Sequence, residues 1–179
     1  MPTFYRSLGM RLTIHVDDPL QIARVAQMTQ RTNQFNMNAI RCSEDDIRQY
    51  VRSPTHQVVA AELADRFGDS GVIGAAVIEQ RRDEWILRLF LMSCRVLGRT
   101  VEQSLLKWIA CRAVAAGAQR LIGLFGPTVK NKPFADFYAC SGLRLSDKIG
   151  DTHRWMWDLA EADLQLPDWI EVVEASMQK

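Results

Sequence analysis

The chain has 179 residues, 47% of them hydrophobic and 24% charged, and its 22 lysines and arginines nearly balance 21 aspartates and glutamates. This composition excludes an intrinsically disordered chain, and the small net charge argues against a nucleic-acid binder, which needs a clustered positive surplus. No apolar run approaches the ~18 residues of a membrane span, and residues 1–8 lack the apolar core of a signal peptide. We therefore expect a cytoplasmic α/β domain that binds neither nucleic acid nor membrane.

Cysteine and histidine do not occur in the spacings of a disulfide framework or a metal site. The four cysteines are Cys42, Cys94, Cys111 and Cys140. No two of them form the close pair that a zinc knuckle or a dense disulfide scaffold would show. The three histidines stand far apart along the chain, so no metal-ligand pattern is present. The sequence therefore predicts a domain without a bound metal.

The first third of the chain predicts a strand followed by two helices. Met10–Val16 alternates apolar and polar residues, which is the period of a half-buried strand. The Asp17-Asp18-Pro19 segment is typical of a helix start, and apolar residues at helical spacing continue to Thr29. Ser43 and Asp46 resemble a capping box, so a second helix begins there and ends by Ser53-Pro54.

The middle of the chain predicts an antiparallel meander. Its strand-like segments are Gln57–Leu63, Gly71–Glu79 and Trp85–Met92. Turn-forming residues separate them, Asp65–Asp69 after the first segment and Arg81–Asp83 after the second. Such short connections join strands that run in opposite directions.

The rest of the chain alternates helices and strands. Its predicted elements are a helix at Arg99–Ala116, a strand at Arg120–Gly126, a helix at Pro133–Ser141 and a strand at His153–Leu159. The element order indicates an α/β or α+β fold with a mixed, mainly antiparallel central sheet flanked by helices. We expect one domain over residues 1–160, with residues 161–179 as a tail packed on it.

A loop that joins a strand to a helix is the first candidate binding element. Residues 93–100 lead from the Trp85–Met92 strand into the helix, and they contain Gly98 together with Arg95 and Arg99. Unpaired backbone N–H groups at a helix start favour a phosphate or other anion. The alternative is an ordinary tight turn with solvated arginines.

Two motifs together resemble the GNAT acyltransferase superfamily. They are the Arg95-x-x-Gly98 loop and an Asn131-x-x-x-Ala-x-Phe137-Tyr138-x-x-x-Gly142-Leu pattern. The resemblance implies an opening between the strands Trp85–Met92 and Leu121–Phe125 that takes a pantetheine arm, from coenzyme A or a carrier protein. The implied cofactor-binding residues are Ser93, Arg95, Val96, Leu97, Gly98, Arg99, Thr100, Asn131 and Phe137. Thr100 departs from the small residue that the superfamily loop usually has there.

The same resemblance gives Tyr138 a catalytic role. Its hydroxyl would face the thioester sulfur and donate a proton or a hydrogen bond to a thiolate. The alternative is a tyrosine that packs in the core beside Phe137.

A closer resemblance, to the C-terminal half of FkbH-like proteins, covers nearly the whole length. It rests on residues 26–36, 64–69 and 93–99 and on Phe137-Tyr138. FkbH-like proteins pair a HAD-type phosphatase with a GNAT-like domain and load a glyceryl unit onto an acyl carrier protein for polyketide assembly. The resemblance implies an acyl carrier protein as partner. This chain lacks the Asp-x-Asp-x-Thr/Val phosphatase motif, so it is either a cut-out domain or a free-standing relative, and a HAD-type phosphatase-like protein or domain would supply that step.

Cys94 is the candidate nucleophile. It stands at the end of a strand, beside Arg95 and close to a helix start, a position that favours a thiolate able to carry an acyl group. The alternative is a buried cysteine that packs as a small hydrophobe.

Four polar residues are candidates for binding the acyl group. Thr29, Asn33 and Asn36 recur at i, i+4 and i+7, which places them on one helical face, and Gln34 lies among them. Hydroxyl and amide groups on one face suit a small polyol. The alternative is a capping and turn network at a helix end.

The sequence thus predicts an acyltransferase that moves a glyceryl-like group to a phosphopantetheine thiol. One alternative is an acetyl-CoA-dependent N-acetyltransferase of a small amine, and another is a non-catalytic carrier-docking module. Glu84 lies at the far end of the Trp85–Met92 strand and Glu79 lies on its neighbour, so neither is well placed as a base for an amine. A thiol needs less help to ionise than an ammonium, which favours the thiol acceptor.

Overall fold

The computed structural model describes residues 2–176, which form an eight-stranded sheet with helices on both faces. The strands are β1 (Met10–Val16), β2 (His56–Asp65), β3 (Gly68–Gln80), β4 (Glu84–Met92), β5 (Arg120–Phe125), β6 (Arg144–Ile149), β7 (Thr152–Asp158) and β8 (Ile170–Glu174). The α-helices are α1 (Pro2–Leu8), α2 (Ile22–Arg31), α3 (Glu44–Arg52), α4 (Val101–Ala115) and α5 (Phe137–Cys140).

The strands lie in the order β6-β7-β5-β4-β3-β2-β1-β8. Neighbouring strands are antiparallel except for the β4–β5 and β1–β8 pairs, which are parallel. The predicted mixed, mainly antiparallel sheet is therefore confirmed. The β2–β3–β4 meander also forms as expected, and both of its strand pairs are antiparallel.

The expected tail contributes a strand of its own. β8 runs parallel to β1 at the edge of the sheet. Sequence periodicity did not predict this strand because five residues are too few to show a clear alternation of apolar and polar side chains. Residues 177–179 lie outside the described part of the chain. Neither α1 nor β8 is among the predicted elements, and the predicted helix at Pro133–Ser141 is reduced to a short 3₁₀ turn followed by the four-residue α5.

The helix starts follow local chemistry. The capping box of α3 forms, with the Asp46 N–H donating to Ser43 Oγ at 3.2 Å and the Ser43 N–H donating to the Asp46 carboxylate at 2.8 Å. α4 begins after Thr100, whose φ of +64° is left-handed. The predicted start at Arg99 is therefore two residues early.

The helices bury the two faces of the sheet in separate clusters. α4 and α5 cover one face, where Leu105, Ile109 and Tyr138 are fully buried. α2 and α3 cover the other face through Val25 and Ile47. The candidate site lies where the strands between these layers separate.

β4 and β5 diverge partway along their length. Their parallel pairing ends at Leu87 opposite Gly123. Beyond that point the segment Phe35–Asn38, from the loop between α2 and α3, lies between the two strands; we call it the inserted segment. Its Asn36 forms an isolated antiparallel bridge with Leu91 of β4. The gap between the strands is therefore filled by the chain itself.

Candidate functional site

A cavity of about 650 Å³ lies between the second half of α2 and the end of β4, and we call it the Cys94 pocket. It brings Cys94, Ser93 and Arg95 together with Asn33 and Gln34. The Cys94 side chain is exposed. The alternative interpretation of Cys94, as a buried packing residue, is therefore wrong.

The Cys94 pocket is positively charged. Arg24, Arg31 and Arg95 line it, and its lining residues include no aspartate or glutamate. Arg24 donates to the carbonyl of Val72 at 3.1 Å, and Arg95 donates to Ser93 Oγ at 3.3 Å. These bonds go to neutral acceptors, so they leave the guanidinium charges uncompensated for an anionic ligand.

The structure separates the four predicted acyl-binding residues. Asn33 and Gln34 line the Cys94 pocket, whereas Thr29 and Asn36 are buried and do not. The prediction of one shared helical face is wrong because α2 ends at Arg31, so residues 33 and 36 are no longer helical.

Thr29 instead ties α2 to the following loop. Its hydroxyl donates to the Ala26 carbonyl at 2.8 Å and accepts from the Cys42 N–H at 2.9 Å. Arg41 fixes the same loop by donating to the carbonyls of Thr29 and Thr32 and to the Asn33 side-chain oxygen. This network holds Asn33 at the pocket with its amide NH₂ group still available.

The predicted anion loop carries an internal carboxylate. The backbone N–H of Gly98, where φ is +78°, donates to Glu102 Oε1 at 3.3 Å. Glu102 is only 7% exposed, and sequence patterning missed it because a glutamate at the second position of a helix is usually solvated. Arg99, predicted to bind a phosphate, is paired with Asp65 at 3.0 Å.

Two aromatic residues cover the same loop. The Tyr5 hydroxyl donates to the Gly98 carbonyl at 2.8 Å, and the indole N–H of Trp169 donates to Thr100 Oγ1 at 2.9 Å. Their rings stack with centroids 5.8 Å apart. Val96 is 1% exposed, so its side chain belongs to the core. Leu97 packs partly buried against the same core. These contacts leave the loop less open than the resemblance implied.

Asn131 and Phe137, both predicted to bind a cofactor, instead support the inserted segment. The side-chain amide of Asn131 donates to the carbonyls of Asn36 and Gly126 at 3.0 and 2.9 Å. The Phe137 ring packs edge-on against Phe35, with centroids 4.9 Å apart. Both residues face the chain itself, because the inserted segment occupies the space in front of them.

Tyr138 lies beneath this layer. It is fully buried, and its hydroxyl has no hydrogen-bond partner among residues 2–176. Its ring covers Gly123, where a Cβ would stand 2.5 Å from Tyr138 Cζ, so only glycine fits at that position. Burial raises the pKa of the hydroxyl. In this conformation no substrate reaches it, and its catalytic role stays a prediction.

No protein-family model matches the chain, and no curated protein matches it in sequence. Solved structures match its shape. The GNAT domain of S. lividans PAT is 17% identical with a TM-score of 0.63, covering 81% of this chain and 89% of that one. A variant of spermidine N-acetyltransferase from Vibrio cholerae is 10% identical with a TM-score of 0.61, covering 84% and 95%.

The chain has the GNAT fold. A third match, yncA from Salmonella typhimurium, was solved with its cofactor acetyl-CoA; it is 15% identical with a TM-score of 0.60, covering 85% of this chain and 96% of that one. At these identities the likeness establishes the fold alone. It confirms the GNAT-like architecture that the loop and the Phe137-Tyr138 motif indicated.

The GNAT fold implies coenzyme A, and the residues present fit it only in part. The edge of β4 and the Gly98 loop have backbone groups of the right kind, but the inserted segment binds the edge of β4 and Glu102 binds the Gly98 N–H. In the described conformation the segment therefore occupies the edge of β4 that a pantetheine arm would use. Residues 2–176 contain no group of three or more His, Cys, Asp or Glu placed to hold a metal ion. Within that range no helix is long and apolar enough to cross a membrane.

We expect Glu102 to make stability depend on pH. Burial raises the pKa of its carboxyl above the ordinary 4.5, so the folded state holds the proton more tightly than the unfolded state. The free energy of unfolding must then fall as the pH rises from 4.5 through the folded-state pKa. Glu102→Gln should stabilise the protein relative to wild type by about 1 kcal/mol at pH 7, the scale of an unsatisfied buried polar group, and by less near pH 4.

Urea denaturation of both proteins at several pH values measures this difference. Glu44→Gln, which alters an exposed glutamate at the start of α3, is the matched control and should show little change. A stability difference for Glu102→Gln that is constant with pH would show that the carboxyl does not titrate differently in the two states.

Proposed function

We propose that this chain is an acyltransferase that uses Cys94 to pass a short hydroxylated acyl group from an acyl phosphate to the phosphopantetheine thiol of an acyl carrier protein. The observation that carries the proposal is the exposed Cys94 thiol in a cavity lined by three arginines, two amides and no carboxylate. The GNAT fold supports acyl transfer in general. The resemblance to FkbH-like proteins supplies the carrier protein and the glyceryl group.

The reaction balances in two steps. The Cys94 thiolate attacks the acyl carbon of the acyl phosphate, a C–S bond forms, and phosphate leaves with the electrons of the broken C–O bond. The carrier thiolate then attacks the thioester carbon, and Cys94 leaves as a thiolate. Each thiol gives its proton to solvent or to the departing phosphate, and no group is oxidised or reduced.

The arginines have a defined task in the first step. Arg24, Arg31 and Arg95 would neutralise the donor phosphate and the charge that it carries away, since hydrogen bonds between guanidinium and phosphate are strong and directional. Asn33 and Gln34 can bind hydroxyls of the acyl group. The anionic phosphodiester of the carrier's arm is attracted to the same cavity, so both reactants reach Cys94 from one side. A HAD-type partner would remove any second phosphate.

The second candidate function is acetyl-CoA-dependent N-acetylation of a small amine, which the likeness to spermidine N-acetyltransferase favours. Such a reaction needs a base to deprotonate the amine. Burial alone would raise the pKa of Glu79, but hydrogen bonds from Arg81 and Arg88 outweigh it and lower the pKa. Glu84 is paired with Arg154 at 2.9 Å. These pairs favour the thiol acceptor over the amine.

Removing Cys94 should abolish the acyl-enzyme. Intact-mass analysis after incubation with acetyl phosphate, a simple acyl phosphate, should show one added acyl group on wild type. The added group should be absent from Cys94→Ala because no other thiol lies in the Cys94 pocket. Addition of a holo carrier protein should then discharge the group onto the carrier.

Cys140→Ala is the matched control, since Cys140 is also exposed but lies outside this pocket. It should be acylated like wild type. An adduct of equal yield on Cys94→Ala would overturn the proposal, and arm-dependent carrier binding without transfer would support a docking module instead. Transfer of acetyl groups from acetyl-CoA to amines, with no adduct on Cys94, would favour the second candidate.

Neutralising the pocket arginines should slow acylation. Arg31→Gln and Arg95→Gln are each expected to lower kcat/KM for acetyl phosphate about tenfold, because a hydrogen bond to a charged group contributes about 1.5 kcal/mol or more. The rates should also fall as salt is raised. Single-turnover acylation measured by mass checks this, with Arg52→Gln at the exposed end of α3 as the control. Equal rates for all variants would remove the arginines from the mechanism.

A further inference from the structure

The chain itself fills the gap between β4 and β5. The backbone of the inserted segment and the Glu102 carboxylate occupy positions that a bound ligand could take. We infer that the inserted segment and Glu102 determine which ligands can enter this gap. The segment binds the backbone groups of β4 that an amide-bearing ligand would need, and Glu102 binds the Gly98 N–H that a phosphate would need. The inference concerns the gap and not the Cys94 pocket, so it does not depend on the chemistry of Cys94.

The inserted segment satisfies the free edge of β4. The Met37 N–H donates to the Phe90 carbonyl at 2.9 Å, and the Met92 N–H donates to the Phe35 carbonyl at 2.9 Å. An extended ligand with amide groups would bind this edge through the same carbonyl and N–H. The ligand and the segment therefore exclude each other.

Further bonds hold the segment to the residue that follows β5 and to β4. The Gly126 N–H donates to the Met37 carbonyl at 2.8 Å, and the Asn38 amide donates to the Arg88 carbonyl at 3.1 Å. The segment thus bridges the two strands where their own pairing has ended. A ligand can enter only after these bonds open.

Glu102 occupies the place at the start of α4 where a bound anion would lie, as the inserted segment occupies the edge of β4. The start of α4 attracts negative charge, and the Glu102 carboxylate supplies it by accepting the Gly98 N–H. Its second oxygen, Oε2, is buried and has no hydrogen-bond partner among the residues that the structure describes. A phosphate at this loop would have to displace the carboxylate and overcome repulsion from it, so Glu102 selects against phosphate.

The filled gap leaves polar atoms unsatisfied. The Tyr138 hydroxyl and the Asn36 side-chain oxygen are both buried and find no hydrogen-bond partner in the described part of the chain. Ala39, just after the segment, has a left-handed φ of +53°. Unpaired buried polar atoms and left-handed backbone both destabilise the arrangement that contains them. We therefore expect the inserted segment to be displaced when a ligand enters the gap.

Calorimetric titration with coenzyme A tests the inference. We expect wild type to bind weakly, and Glu102→Ala to bind at least tenfold more tightly because it removes the carboxylate and frees the Gly98 N–H. Asn38→Ala, a milder change at a partly exposed residue, should tighten binding about threefold by loosening the segment. Glu44→Ala, at the exposed start of α3, is the control and should match wild type.

Amide hydrogen exchange is a second measurement. It distinguishes displacement of the inserted segment from binding in a preformed pocket, which would not make the amides of the segment exchange faster. On addition of coenzyme A to Glu102→Ala, the amides of residues 33–39 should exchange faster, because the ligand displaces the segment. Glu102→Ala and Asn38→Ala affinities no tighter than wild type would overturn the inference, as would tight wild-type binding with unchanged exchange over residues 33–39. Neither result bears on whether Cys94 is acylated, so this proposal and the proposed function can fail separately.

Discussion

The structure depends on which groups form hydrogen bonds with the backbone of β4 beyond the point where its pairing with β5 ends. Buried carbonyl and N–H groups must find partners, and the parallel pairing of these strands stops at Leu87 and Gly123. The inserted segment supplies the missing partners for Phe90 and Met92. Residues that the sequence offers as ligand contacts, Asn131 and Phe137, then become supports for the segment, because the space they would face is already full.

The inserted segment also creates the Cys94 pocket. Phe35 packs against Phe90 and Phe137 on one side and lines the pocket on the other. The residues just before it, Asn33 and Gln34, are thereby held opposite Cys94. The same short stretch of backbone therefore borders the Cys94 pocket and fills the gap between β4 and β5.

Charge divides the two regions. The Cys94 pocket contains arginines and no carboxylate among its lining residues, whereas the start of α4 contains the buried carboxylate of Glu102. Anions are therefore attracted to the first region and repelled from the second. The proposed function therefore assigns anion binding to the Cys94 pocket, whereas the sequence predicted it for the Gly98 loop.

Periodicity and local chemistry determined much of the fold from sequence alone: the β1 strand, the α3 capping box and the β2–β4 meander depend on neighbouring residues and form as predicted. The motifs at Arg95–Gly98 and Phe137–Tyr138 indicated the GNAT fold through their resemblance to that superfamily. Only the tertiary structure showed that the inserted segment fills the gap between β4 and β5. The hydrogen bonds between Met37 and Phe90 and between Asn131 and Asn36 join residues far apart in the chain. The burial of Tyr138 and the separation of Thr29 from Asn33 follow from those long-range contacts, which no local pattern records.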